Sequence, residues 1–160
     1  MVGDVVAHIP SSIDVDDSLW PLLFIRYQGA PTSTQVEQFL ARRALYFERG
    51  EHHVVLNDMR RVSGNNPPEQ RRLELNWMKA HEAQLQKWVL GVAFIIDSVV
   101  VRLMVSVILH FKSAPVPLRV VSSPSEGIAW LAERLRQEAL EAEAHRLLTH
   151  FERLEEKRQG

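Results

Sequence analysis

The apolar positions of this chain fall into short dense runs separated by longer stretches with helical spacing. Residues 4–9 (DVVAHI) form a brief β-rich run that reads as an edge strand, and residues 12–18 are polar and read as a turn. Trp20 to Tyr27 (WPLLFIRY) is apolar on both faces at Leu22, Leu23, Phe24 and Ile25, the pattern of an interior strand. Pro21 then belongs at its beginning or at an unpaired position. Thr32 and Gln35 have the spacing of a capping box, and Val36, Phe39, Leu40, Ala44 and Phe47 follow as a helical stripe that Gly50 ends. His53 to Asp58 (HVVLND) reads as the next strand and Met59 to Asn66 as a polar loop.

Asn66-Pro67-Pro68-Glu69 opens a second helix, which runs to about Lys87 with Leu73, Trp77, His81 and Leu85 turned inward. Val89 to Ile96 (VLGVAFII) is the most hydrophobic strand and the expected centre of the sheet. Asp97-Ser98 caps a third helix that reaches about Lys112, Pro115 and Pro117 break the chain, and Leu118 to Val121 forms the last strand. Ser123-Pro124-Ser125-Glu126 starts a final helix with no evident breaker between Gly127 and Gly160. At 1.5 Å per residue such a helix is roughly 45 Å long, more than a small domain is wide. Alternating strands and helices predict an α/β fold. Its sheet is mostly parallel, has four to five strands with helices packed against it, and ends in a long C-terminal helix. The two N-terminal strands are expected to pair antiparallel at one edge. Residues 1–137 make up the domain and 138–160 a helical extension.

Composition narrows the function classes. A length of 160 residues with 46% hydrophobic content suits one domain with a real core. Nineteen basic against 20 acidic residues leave a net charge of -1, which argues against nucleic acid as a partner. The absence of cysteine removes disulfides, thiol nucleophiles and thiolate-bound metals. Asp4 interrupts the first apolar residues, no Lys or Arg precedes Arg26, and no apolar run is long enough to span a bilayer. The expectation is a cytoplasmic protein.

The order and spacing of these elements resemble the STAS / SpoIIAA-like superfamily, the fold of bacterial anti-sigma-factor antagonists. The resemblance covers roughly residues 4–137. It is carried by WPLLFIRYQG, a capped helix, HHVVLNDMRRVSG with its acidic strand end and Ser-Gly loop, the strand VLGVAFIID, and PLRVVSSPSEGIAWL. It implies a non-enzymatic interaction and signalling module that switches protein partners, or one that takes a lipid or other small apolar ligand. In the antagonists a phosphorylatable Ser or Thr opens the helix after the third strand. Ser63 is the nearest match, although Val62-Ser63-Gly64 departs from the usual Asp-Ser-Ser-Gly form.

The residues themselves offer few chemical constellations. The loop from Asp58 to Glu69 joins a strand end to a helix start, where ligands of open α/β sheets bind. Arg60, Arg61, Ser63 and Gly64 there suit a phosphate or phospholipid head, or a phospho-switch at Ser63. The plainer alternative is a solvated loop, and its prolines remove donors. His52-His53 and His145/His150 lack metal-ligand spacing, and His81 among Trp77 and Leu85 reads as a satisfied, half-buried histidine. No phosphate-binding Gly-Lys loop and no nucleophile elbow occur, so neither a cofactor nor an enzyme is expected.

Two helices carry surplus apolar surface. From Val99 to Phe111 ten of 13 residues are apolar, and Ser98, Arg102, Ser106 and His110 form one narrow polar stripe. A sheet-facing stripe takes only part of such a helix. Val101, Met104, Val105 and Ile108 therefore offer a surface for a neighbouring helix, a second copy, or a lipid or membrane. Further on, Leu140, Ala144, Leu147, Phe151 and Leu154 follow a heptad-like seam. Because this helix outruns the domain, self-association is favoured over folding back, and a homodimer is the expected assembly, with a protein partner unnamed.

Overall fold

The computed structural model describes residues 10–64, 66–103 and 115–159, with side chains in the last helix as far as Arg153. The strand expected at 4–9 lies outside the described residues, as do Met104, Val105, Ile108 and the side chain of Leu154.

Among the described residues five strands form one sheet: β1 (Ser12–Asp16), β2 (Leu22–Gly29), β3 (His53–Val62), β4 (Val89–Ile95) and β5 (Leu118–Val121). They lie side by side in sequence order. β1 runs antiparallel to β2, and β2 through β5 are parallel. The sheet is therefore mixed. The antiparallel edge is formed by residues 12–16, which corrects the turn expected at 12–18. Ile13 and Val15 alternate with Asp14 and Asp16, and that period of two puts both aliphatics on the core side.

Helix α1 (Ser33–Phe47) starts at the predicted capping box. The Thr32 Oγ1 accepts from the Gln35 amide, and the Gln35 side chain accepts in turn from the Thr32 amide. The second predicted helix is two: α2 (Pro68–Ala80) and α3 (Glu82–Trp88). They meet at His81, whose backbone leaves helical geometry. Its Nδ1 lies 2.8 Å from the Trp77 carbonyl, so the ring donates to an oxygen that the helix ladder also uses. Residues 99–103 form the described part of α4.

The predicted C-terminal helix is also two: α5 (Pro124–Gln137) and α6 (Glu141–Gln159). The reversal falls at Ala139, whose φ is 61°. α6 folds back. Ala144 and Leu147 are buried (0% and 2% exposed), and Leu140 and Phe151 pack beside them on the chain's own core. This corrects the free heptad seam. The physical reason is coverage. Strands added in sequence order through crossovers of one hand put the crossover helices on the same face. Indeed α1 and α3 bury Tyr46, Phe47 and Leu85 against Leu23, Ile25, Val55 and Val92 on one face. The opposite face, with Leu22, Val54, Leu56, Ala93 and Ile95, is left for the helices after β5. Five strands at about 4.8 Å spacing span roughly 19 Å, twice the width of one helix, so α5 alone cannot cover it. Gly91 lets α5 come close: a Cβ there would meet the Arg134 Cγ at 3.1 Å, and the Arg134 Nε donates to the Leu90 carbonyl at 3.0 Å.

Candidate functional site

On the α1 face, α1 and α2 splay apart above the C-terminal ends of β2, β3 and β4 and leave a hollow of about 280 Å³. Ligands of open α/β sheets bind at this end of the strands. Its walls are largely apolar: Val36, Phe39 and Leu40 from α1, Met78 from α2, Phe94 from β4. Gln70 of α2 fixes the splay by donating from Nε2 to the Pro31 carbonyl at 2.8 Å, which ties α2 to the entry of α1.

A small polar group lies within these walls. Tyr27 of β2 donates to the Asn57 Oδ1 of β3 at 3.3 Å, and the Asn57 Nδ2 donates to the Ala93 carbonyl at 3.5 Å. Arg43 enters from α1. It stands seven residues after Val36 and three after Leu40, so helical geometry turns it to the same inner face. The residue as a whole is half-buried but its Nε is buried, and burial pulls its pKa below the ordinary value while Tyr27 opposes the shift. Trp77 of α2 presents its ring to the Arg43 Cζ at 5.2 Å. Among the described residues, two buried side-chain donors have no hydrogen-bond partner: the Arg43 Nε and the Trp77 Nε1. Both belong to side chains of this one hollow. Leaving a buried polar group unsatisfied costs about 1–3 kcal/mol, and more for a charge.

Burial pushes the Tyr27 phenol well up, with Arg43 pulling the other way, so Tyr27 stays neutral. Glu74 of α2 lines the hollow, and burial pushes its carboxyl up, partly offset by a hydrogen bond from Asn66 at 3.5 Å. The Trp77 ring continues into an aromatic run through Phe47, His53 and Trp20, with neighbouring centroids 5.0 to 6.2 Å apart. A second, more open hollow of about 550 Å³ shares Met59, Val62, Gly64 and Phe94 with the first and extends to Ser98 and Val101 at the start of α4.

The structure divides the sequence-derived anion loop. Met59 to Val62 continue β3 instead of forming a loop, because β3 carries one extra residue opposite Arg26–Gln28 and pairs on to Gly29. Arg60 and Arg61 line a separate hollow under α6, with Asp14, Asp16 and Arg26. Arg60 forks onto Asp58, its Nε and Nη2 donating at 2.9 and 2.8 Å. Burial pushes the Asp58 carboxyl up, but those bonds from Arg60 outweigh it and hold it below the usual range. Ser63 and Gly64 instead lie at the mouth of the α1–α2 hollow, where the Ser63 amide donates to the Gly29 carbonyl at 2.9 Å. Val101 is exposed, next to exposed Val99, Val100 and Leu103. Leu140, Leu147 and Phe151 belong to the core under α6.

The sequence reading missed Arg43, Tyr27 and Asn57. The signal for Arg43 was a charged residue on the inward stripe of α1. For Asn57 it was a polar residue inside the apolar run HVVLND. Among the described residues no group of three or more His, Asp or Glu side chains is placed to hold a metal ion. Nor is any helix among them long and apolar enough to cross a membrane.

A parallel sheet with one antiparallel edge strand, crossover helices on one face and the C-terminal helices on the other is a SpoIIAA-like fold. A solved structure bears this out: an uncharacterized protein of the DUF3478 family with a SpoIIAA-like fold, from Shewanella loihica PV-4. The two share 18% sequence identity with a TM-score of 0.56, over 77% of this chain and 94% of the other. That likeness is one of fold. No family model matches the sequence, and no curated protein matches it.

Proposed function

We propose that this chain is a non-enzymatic, STAS-like binding module that holds a small, apolar-bodied molecule between α1 and α2. The observation that carries this is the hollow itself: apolar walls around two buried donors that lack partners. Pockets for small molecules combine mostly apolar walls with a few convergent polar groups. The adjoining hollow lets a longer ligand extend over Met59, Val62 and Phe94 toward Val101. The test is extraction of the purified protein into organic solvent followed by mass spectrometry. A stoichiometric apolar compound is expected, and it should be lost when Met78→Trp fills the rim. A clean protein that no member of an aliphatic panel stabilises against heat contradicts the proposal.

A second reading is supported by the exposed aliphatics Val99, Val100, Val101 and Leu103. In it the module self-associates or docks a protein partner through the start of α4. Light scattering from micromolar concentrations upward is expected to show a dimer that Val100→Glu with Leu103→Glu separates. A strict monomer contradicts it.

A further inference from the structure

We infer that the molecule held between α1 and α2 carries a carboxylate, and that the Arg43 guanidinium binds it. This rests on the ligand-holding proposal above and assigns the chemistry of the ligand's head.

Arg43 is a half-buried cation whose Nε is buried in the hollow's wall, and arginine does not shed its proton in proteins. Among the described residues nothing forms a hydrogen bond or ion pair with it. Its neighbours are the face of Trp77 and the phenol of Tyr27, which is neutral and already donates to Asn57. Glu74, the carboxyl in the same wall, makes no ion pair with Arg43, and burial raises its pKa. A buried donor of a charged group left without a partner is what proteins otherwise avoid.

The second orphan donor narrows the choice. The Trp77 indole N–H and the Arg43 Nε–H are both donors, and both side chains line one hollow. The missing complement is a group that accepts at more than one atom and carries negative charge. A carboxylate does both, and the arginine fork matches its geometry. A phosphate dianion fits less well: it brings more charge than one guanidinium neutralises, in a wall that also holds Glu74. The remaining walls (Val36, Phe39, Leu40, Phe94) favour an aliphatic or aromatic body over a free inorganic anion.

The test is calorimetric titration of the full chain with decanoate, decanol and decylammonium, each below micelle formation. Decanoate is expected to bind at least about tenfold more tightly than decanol, and decylammonium most weakly. Arg43→Met should bring decanoate down to the level of decanol and leave decanol unchanged. Arg43→Lys should keep part of the preference. Glu74→Gln, which removes the competing carboxyl, should tighten decanoate, and a loss of decanoate affinity there would overturn the assignment. Equal binding of decanoate and decanol by the unaltered protein overturns the carboxylate inference and leaves the ligand-holding proposal standing. Failure of both to bind removes that proposal itself. The comparison of head groups on the unaltered protein decides even if Arg43→Met fails to fold.

Discussion

His53 is buried on β3 between the rings of Trp20 and Phe47, and its Nδ1 donates to the Glu51 carbonyl at 3.1 Å. Burial pulls its pKa down to about 4, so the folded chain keeps it neutral. An unfolded histidine takes its proton near 6.5. Between those values the unfolded state binds more protons, and stability falls as pH drops through that window, by up to roughly 3 kcal/mol. Glu74 acts with the opposite sign, because a raised carboxyl pKa favours the folded state as pH falls. The lowered carboxyls of Asp16 and Asp58 withdraw stability only below about pH 4. Urea unfolding at pH 7 and pH 5 should therefore show a loss at pH 5 that His53→Phe largely removes. A loss of equal size in the variant would assign it elsewhere. Arg43 makes a different prediction. If it is retained to bind a ligand, Arg43→Met should leave the empty protein equally stable or more so, by about 1–4 kcal/mol, since replacing buried charge with well-packed apolar atoms often does. A marked drop in its unfolding midpoint would make Arg43 a structural residue.

Among the elements, the hairpin between α5 and α6 gives the sharpest sign. Ala139 holds a left-handed backbone at φ 61°, which glycine adopts without penalty. Ala139→Gly should raise stability by roughly 0.5–1 kcal/mol in thermal unfolding. In an unbroken helix the same change would cost about 1 kcal/mol, so a decrease would contradict the reversal. Leu147→Ala should cost about 2–5 kcal/mol, the range for a buried leucine, rather than merely separating two copies. Much of this level was legible in the sequence. The capping box at Thr32, the proline-led starts at Pro68 and Pro124, and the runs at Leu22, Val54 and Val89 all fall where their patterns put them. The misses share a cause: they turn on partners remote in sequence. Met59 to Val62 remain strand because β2 offers pairing through Gly29. The chain reverses at Ala139 because a bare sheet face awaits α6, while the local sequence Gln137-Glu138-Ala139-Leu140 carries neither glycine nor proline. His81 ends α2 by a side-chain bond that helix propensity does not register.

At the scale of the whole molecule, the sequential strand order governs where the site lies. It sends α1 to α3 to one face, gives the other to α5 and α6, and opens the hollow where α1 and α2 part at the strand ends. The location was legible, because a strand-to-helix connection at the end of β3 is where such sheets take ligands. The chemistry was not: Arg60 and Arg61 are the charges that the sequence places beside a loop. The fold pairs Arg60 with Asp58 and brings the unpartnered donor from Arg43, one more polar residue in a helix until its neighbours Val36, Leu40 and Trp77 are known. At this scale everything turns on whether the hollow binds a small molecule. The most direct measurement follows the indole N–H resonances of the four tryptophans while decanoate is added. The Trp77 signal is expected to move progressively and saturate, with Trp130, which α5 packs against the far face of the sheet, unmoved. A Trp77 resonance that stays fixed at saturating decanoate would contradict binding in this hollow.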